Sequence, residues 1–184
     1  MQLSLFSLLW LITQPQAQAL ATDTFEFSLN ELHFVIDKAS GNILSLSSPK
    51  VGTFLEASPE RGSIIDLAFP IKEFQPLRLA ARYSKDVKID VEKESVTLFW
   101  EALGASRPLP ISGKVSAVIR FAAAADGESV IMSCTIKNQT TDSIRQVMFP
   151  DFMGIIPFAG EENTLFRTAA FVENLFELLK PKAE

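Results

Sequence analysis

The chain has one cysteine and one histidine in 184 residues, and each scarcity removes a class of chemistry. With Cys134 alone, no intramolecular disulfide can form, so stability must come from packing rather than covalent staples. One imidazole, His33, among scattered acids gives no ligand spacing of the zinc kind, and no metal is expected. A Cys–His nucleophile would need these two residues to meet. Cys134 falls on the Val130, Met132, Ile136 face of a period-2 segment, where a small hydrophobe belongs, and His33 falls opposite the Leu32, Phe34, Ile36 face. Also missing are a glycine-rich phosphate cradle and a Gly-x-Ser-x-Gly elbow, and no cofactor is expected. Lys and Arg total 17 against 22 Asp and Glu, a formal charge of −5, and the basic residues never gather into a run. Nucleic acid, whose phosphates demand such clusters, is not an expected partner.

Long apolar runs are missing too. The stretch from Leu3 to Ile12 is far short of the roughly 20 residues that a membrane-spanning helix needs, so no membrane span is expected. In "MQLSLFSLLWLITQPQAQALATD" no charged side chain precedes Asp23. Pro15 interrupts the polar stretch, and two overlapping small-x-small sites follow, Ala17-Gln18-Ala19 and Ala19-Leu20-Ala21. This is the anatomy of a secretory signal peptide over residues 1–21, cleaved after Ala19 or Ala21, with a secreted or periplasmic product.

What is present is strand pattern. Hydrophobic residues make up 47% and charged residues 21%, the balance of a globular protein. "TFEFSLN" puts Phe25, Phe27 and Leu29 on one side. "LHFVID" and "ILSLS" flank the turn chemistry of "DKASGN". Val87, Ile89 and Val91 alternate with charges, the chain turns over Glu92 to Ser95, and Val96, Leu98 and Trp100 alternate again. "KVSAVIRF" and "SVIMSCTIKN" pair across Asp126-Gly127, a favoured reversal. The four alanines at 122–125 are too few to nucleate a helix there. "FVENLFELLK", with Phe171, Leu175 and Leu178 at helical spacing and Pro181 to stop it, predicts a short C-terminal helix or linker from about residue 170. Short strands about ten residues apart predict an antiparallel β-sandwich over residues 22–184.

Glycoside hydrolysis needs two carboxylates flanking a sugar bond. Candidates are Asp66 in "IIDLAF", Glu101, Asp151, and Glu161–Glu162, whose adjacent side chains diverge on an extended backbone. None lies in a diagnostic motif, so the chain by itself is not expected to be catalytic. Sugar binding relies on exposed aromatic faces with polar groups around them. Trp100 and Asp151 are the candidate carbohydrate contacts, with core burial the competing reading for Trp100. Asn138 in "NQT" is a candidate N-glycosylation acceptor, with turn chemistry the competing reading. In "FPDFMGIIPFAGEEN", Pro150 and Pro157 end regular pairing, and the segment reads as a corner that covers one end of the strands. There Asp151 is expected to accept hydrogen bonds from loop N–H groups.

Taken together, "LHFVIDKASGNILSL", "IIDLAFP" and "CTIKNQTTDSIRQVMFPDFMGIIPF" resemble a galactose-mutarotase-like β-sandwich. This is the N-terminal domain that precedes the catalytic barrel in several large secreted carbohydrate-active proteins, glycoside-hydrolase-like families among them. The resemblance covers residues 25 to about 180 and implies a supersandwich that packs against a catalytic barrel carrying the acids. No catalytic residue transfers to this chain, and no barrel follows before Glu184. The function expected is thus a non-catalytic front domain, with a barrel or a carbohydrate as partner. Two alternatives stay open: a free-standing carbohydrate-binding module, and a small epimerase relying on His33.

Overall fold

The computed structural model describes residues 23–58, 62–70, 77–108, 112–156, 165–167 and 172–174. Strand alternation dominates them. β1 (Thr24–Leu29), β2 (Leu32–Asp37), β3 (Ile43–Ser48) and β4 (Gly52–Glu56) form an antiparallel meander. The tight β1–β2 turn places Asn30 at φ 52°, a left-handed conformation that Asn tolerates. Its amide donates to the carbonyls of Ala124 (3.1 Å) and Ser129 (2.7 Å), tying this turn to a second hairpin.

That hairpin lies in a second sheet. β7 (Val87–Glu92), β8 (Ser95–Trp100), β10 (Val115–Ala123) and β11 (Val130–Asn138) run in the order β11-β10-β8-β7. Asp126 shapes the β10–β11 reversal, its carboxylate accepting from the N–H groups of Glu128 and Ser129. A third sheet, β12-β5-β6-β9, joins β5 (Asp66–Phe69), β6 (Leu77–Ala80), β9 (Gly104–Ala105) and β12 (Gln146–Met148). Every pairing in these sheets is antiparallel. All-β architecture follows, with a single 3₁₀ turn, Ala81–Tyr83, as the only helical element among the described residues.

The core is aromatic where the first two sheets meet. Phe27 and Phe34 stack with centroids 4.7 Å apart, and Phe121 from β10 meets both edge-on, the arrangement ring quadrupoles favour. Trp100 is 1% exposed, and its Nε1 donates to the Ser40 carbonyl at 2.9 Å. Gly41 makes this possible. It sits at φ 76°, and a Cβ there would fall 2.5 Å from Trp100 Cζ2.

β5 is buried on both faces, which is what positions the site described below. Leu67 and Phe69, with Leu77 and Leu79 of β6, enter the hydrophobic core. Asp66 and Ala68, with Arg78 and Ala80, form the opposite face.

One expectation is corrected. In the segment expected to be helical, Val172–Asn174 is a strand (β14) that pairs antiparallel with Leu165–Arg167 (β13). A short helix without a partner is marginal, whereas cross-strand hydrogen bonds and a β-branched valine favour the extended form. Residues 175–184 lie outside the described residues, as do the predicted signal peptide, Pro157 and Glu161–Glu162. Among the described residues no helix is long and apolar enough to cross a membrane.

Candidate functional site

An aspartate inside an apolar strand is costly unless its charge is met. Asp66, 1% exposed at the start of β5, is met twice. Its register partner on β6 is Ala80, so Arg78, two residues earlier, shares its face. The Arg78 Nε donates to Oδ1 at 3.0 Å and to Oδ2 at 3.1 Å. Arg82 comes from the 3₁₀ turn that follows β6, and its Nη2 donates to Oδ2 at 2.9 Å. Small residues keep this face open to the guanidinium groups: Ala68, Ala80 and Ala81 are all buried.

Across β5 the register partner of Asp66 is Met148, and the Arg78 guanidinium reaches its Sδ at 3.9 Å. Beyond Met148 comes a cis Phe149–Pro150 peptide and then Asp151. The segment is strapped down at several points. The Asp151 N–H donates to the Ile64 carbonyl, the Glu56 N–H to the Gly154 carbonyl, and the Ile156 N–H to the Phe54 carbonyl. Leu55 and Ile155 form an antiparallel bridge, so the strap continues the first sheet beyond β4.

Asp151 therefore enters the same space as Asp66, Arg78 and Arg82. Burial raises its carboxyl pKa above the usual Asp value, the Asp66 charge raises it further, and Arg82 and Arg78 partly offset both. Among the described residues no hydrogen bond reaches its carboxylate, contrary to the expected capture of loop N–H groups. The cleft has a volume of about 590 Å³ and is lined by these four residues with Tyr83, Met148 and Met153. It thus holds one carboxylate, Asp66, paired with two arginines, and a second, Asp151, that accepts no hydrogen bond among the described residues.

Tyr83 is 37% exposed and also lines a second cleft of about 330 Å³, with Ser84, Lys85, Asp86, Lys88, Glu101 and Lys114 around it. The turn carrying Tyr83 is pinned. Ser84 Oγ donates to the Ala80 carbonyl at 3.2 Å and accepts from the Gly104 N–H at 2.8 Å. Gly104 must be glycine at this approach, because a Cβ would lie 2.0 Å from the Tyr83 carbonyl oxygen. Lys114 pairs with Glu101 at 2.8 Å. That hydrogen bond, with the charges of Lys114 and Lys88, holds the Glu101 carboxyl below its usual range.

The structure sorts the sequence candidates. Asp66 and Asp151 converge, whereas Glu101 belongs to the second cleft. Trp100 is enclosed in the core and presents no ring face to a ligand, which removes it as a carbohydrate contact. Asn138 builds a turn. It accepts from the Thr140 N–H and Oγ1 and donates to the Asp142 carbonyl. His33 sits beside Ser28 Oγ (3.1 Å) and Glu26 (3.5 Å), on the opposite side of β2 from Phe34. Cys134 is half-buried opposite Ile119, and burial pushes its thiol up to about 11, which disfavours the nucleophilic thiolate at neutral pH. Among the described residues no group of three or more metal-ligating side chains forms.

Sequence reasoning missed Arg78, Arg82 and Tyr83. The signal available was Asp66 itself: an acid within "IIDLAF" demands cations from elsewhere. The chain matches no family model, no curated protein and no solved structure.

Proposed function

We propose that this chain is a non-catalytic, carbohydrate-recognising β-domain of the galactose-mutarotase-like sandwich type. It acts as the exported front domain of a carbohydrate-active protein, with the Asp66–Asp151 cleft as its saccharide site. One observation carries the reading: Asp151 presents a carboxylate that accepts no hydrogen bond among the described residues, beside two guanidinium groups already oriented by Asp66. Neighbouring sugar hydroxyls both donate and accept, so they suit an acceptor set next to charged donors. Hydrolysis is the poorer fit. It needs two working carboxylates, and both oxygens of Asp66 are occupied by arginine N–H groups.

The test is calorimetric titration of the protein with a panel of oligosaccharides, repeated with Asp151→Ala. A hydrogen bond to a charged group is worth about 1.5–3 kcal/mol, so loss of Asp151 should weaken binding at least about tenfold. Absence of binding to every saccharide, or equal binding by Asp151→Ala, overturns the reading.

A second reading has its own observation. Val147, Met153 and Ile155 are each about half exposed on or next to the strap, an apolar rim suited to a neighbouring domain. A chain that stays monomeric and binds no hydrophobic dye counts against it.

A further inference from the structure

We infer that the saccharide is anionic and that the cleft lined by Lys85 and Lys88 receives its carboxylate or sulfate group, an inference that rests on the saccharide reading above. The chain carries a formal charge of −5, yet among the described residues this cleft collects Lys85, Lys88 and Lys114 against Asp86 and Glu101. Lys114 and Glu101 satisfy each other at 2.8 Å. Among the described residues neither Lys85 nor Lys88 forms a salt bridge, and the Lys88 ammonium instead lies 5.8 Å from the Phe99 ring centre. Two exposed ammonium groups with no salt-bridge partner among the described residues, in a recess where lysines outnumber acids on an acidic protein, attract an anion.

Tyr83 gives the recess its connection to the proposed sugar site, because it lines both clefts. A ligand seated against Asp151 and Arg82 extends past Tyr83 into the lysine cleft with its next unit. Recognition there is by point charge. An ammonium lacks the planar fork that makes arginine selective, so carboxylate and sulfate serve alike. The contribution is exposed and falls as added salt shortens the Debye length.

The experiment titrates wild type, Lys85→Ala/Lys88→Ala and Asp151→Ala with tetragalacturonate, a chondroitin sulfate tetrasaccharide and neutral cellotetraose, at low and high salt. Both lysines are exposed, so the double variant keeps the fold, checked by circular dichroism. Expected are tighter binding of an acidic probe than of cellotetraose, a salt-dependent affinity, and a roughly tenfold loss in the lysine variant for acidic probes alone. The better acidic probe distinguishes carboxylate from sulfate. If cellotetraose binds as well as the acidic probes and the lysine variant is unchanged, the anionic assignment fails while the saccharide site stands. Salt-dependent acidic binding that survives in the lysine variant overturns this cleft as the anion site. If none of the probes binds, the inference fails outright, and the wider oligosaccharide panel decides separately whether any saccharide site remains.

Discussion

The Arg82 guanidinium carbon stands 4.8 Å from the centre of the Tyr83 ring. Arg82 also donates to Asp66, so the exposed Tyr83 ring is braced through a guanidinium against a carboxylate in the sheet. A cation–π contact at an exposed site contributes only about 0.5–1 kcal/mol, so Tyr83→Ala should shift the urea midpoint little. Its effect on saccharide affinity should be several-fold, because the ring is common to both clefts. Parallel unfolding and titration measurements separate the two effects.

Asp66→Ala leaves two guanidinium groups facing each other without their shared acceptor. Removing one partner of a buried pair costs about 3–5 kcal/mol, and partial exposure of Arg78 and Arg82 brings the expectation to about 2–3 kcal/mol. Urea denaturation gives the value directly. A loss below about 0.5 kcal/mol, the size of an ordinary surface change, would mean that the cluster does not hold β5 to β6.

Asp151 should make stability depend on pH in the direction opposite to a salt-bridged acid. Its folded pKa lies above the unfolded value, so the native state binds the proton more tightly. Stability therefore rises as pH falls through the folded pKa toward the unfolded one, and above the folded pKa the ionised group opposes folding. Asp151→Asn should be slightly more stable than wild type at neutral pH. The gap should close as the pH drops through that window, followed by urea midpoints at successive pH values. The same substitution should weaken saccharide binding, which sets function against stability at one residue.

Gly104→Ala forces a Cβ into the backbone of Tyr83 and Ser84, at 2.0 Å from the Tyr83 carbonyl oxygen and 2.5 Å from the Ser84 nitrogen. Overpacking of this kind costs typically about 1–3 kcal/mol, and backbone yields less readily than a side-chain tip. The expected result is a lower thermal midpoint with weaker ligand binding, since the displaced turn carries Tyr83. Gly127→Ala is the control: open space surrounds that position, so its cost is confined to the left-handed backbone at φ 77°.

Cys134 should resist alkylation. With its thiol pushed up to about 11 by burial, its thiolate fraction at pH 8 is far below that of an unfolded cysteine, whose pKa is about 8.5. Iodoacetamide should label the native chain on the order of a hundredfold more slowly than the chain in urea. Equal rates would place the thiol in solvent.

The strands were legible because alternation is local. Phe27, Phe34, Val96, Leu98 and Ile119 each announce a buried face through their immediate neighbours, and each is buried. Turn chemistry was equally direct at "DKASGN", where Asp37 accepts from the Ser40 N–H and hydroxyl. The short tail was misread for the same reason. Phe171, Leu175 and Leu178 fit a helix by spacing alone, but the extended form of Val172–Asn174 comes from a partner strand that local periodicity does not contain.

The site belongs to the other category. The sequence by itself determined an all-β chain, its turns, a core rich in phenylalanine, and an acid in "IIDLAF" that had to find a counter-charge. Only the tertiary structure decided which cations answer it, that Asp151 stands beside them without a hydrogen bond to its carboxylate among the described residues, and that Trp100 is enclosed while Tyr83 is open. The reason is physical. Alternation records which way a side chain points from its own strand, whereas the meeting of Asp66, Arg78, Arg82 and Asp151 depends on the register between β5, β6 and β12 and on the strap bound to β4. Register is set by hydrogen bonds between segments distant in the chain.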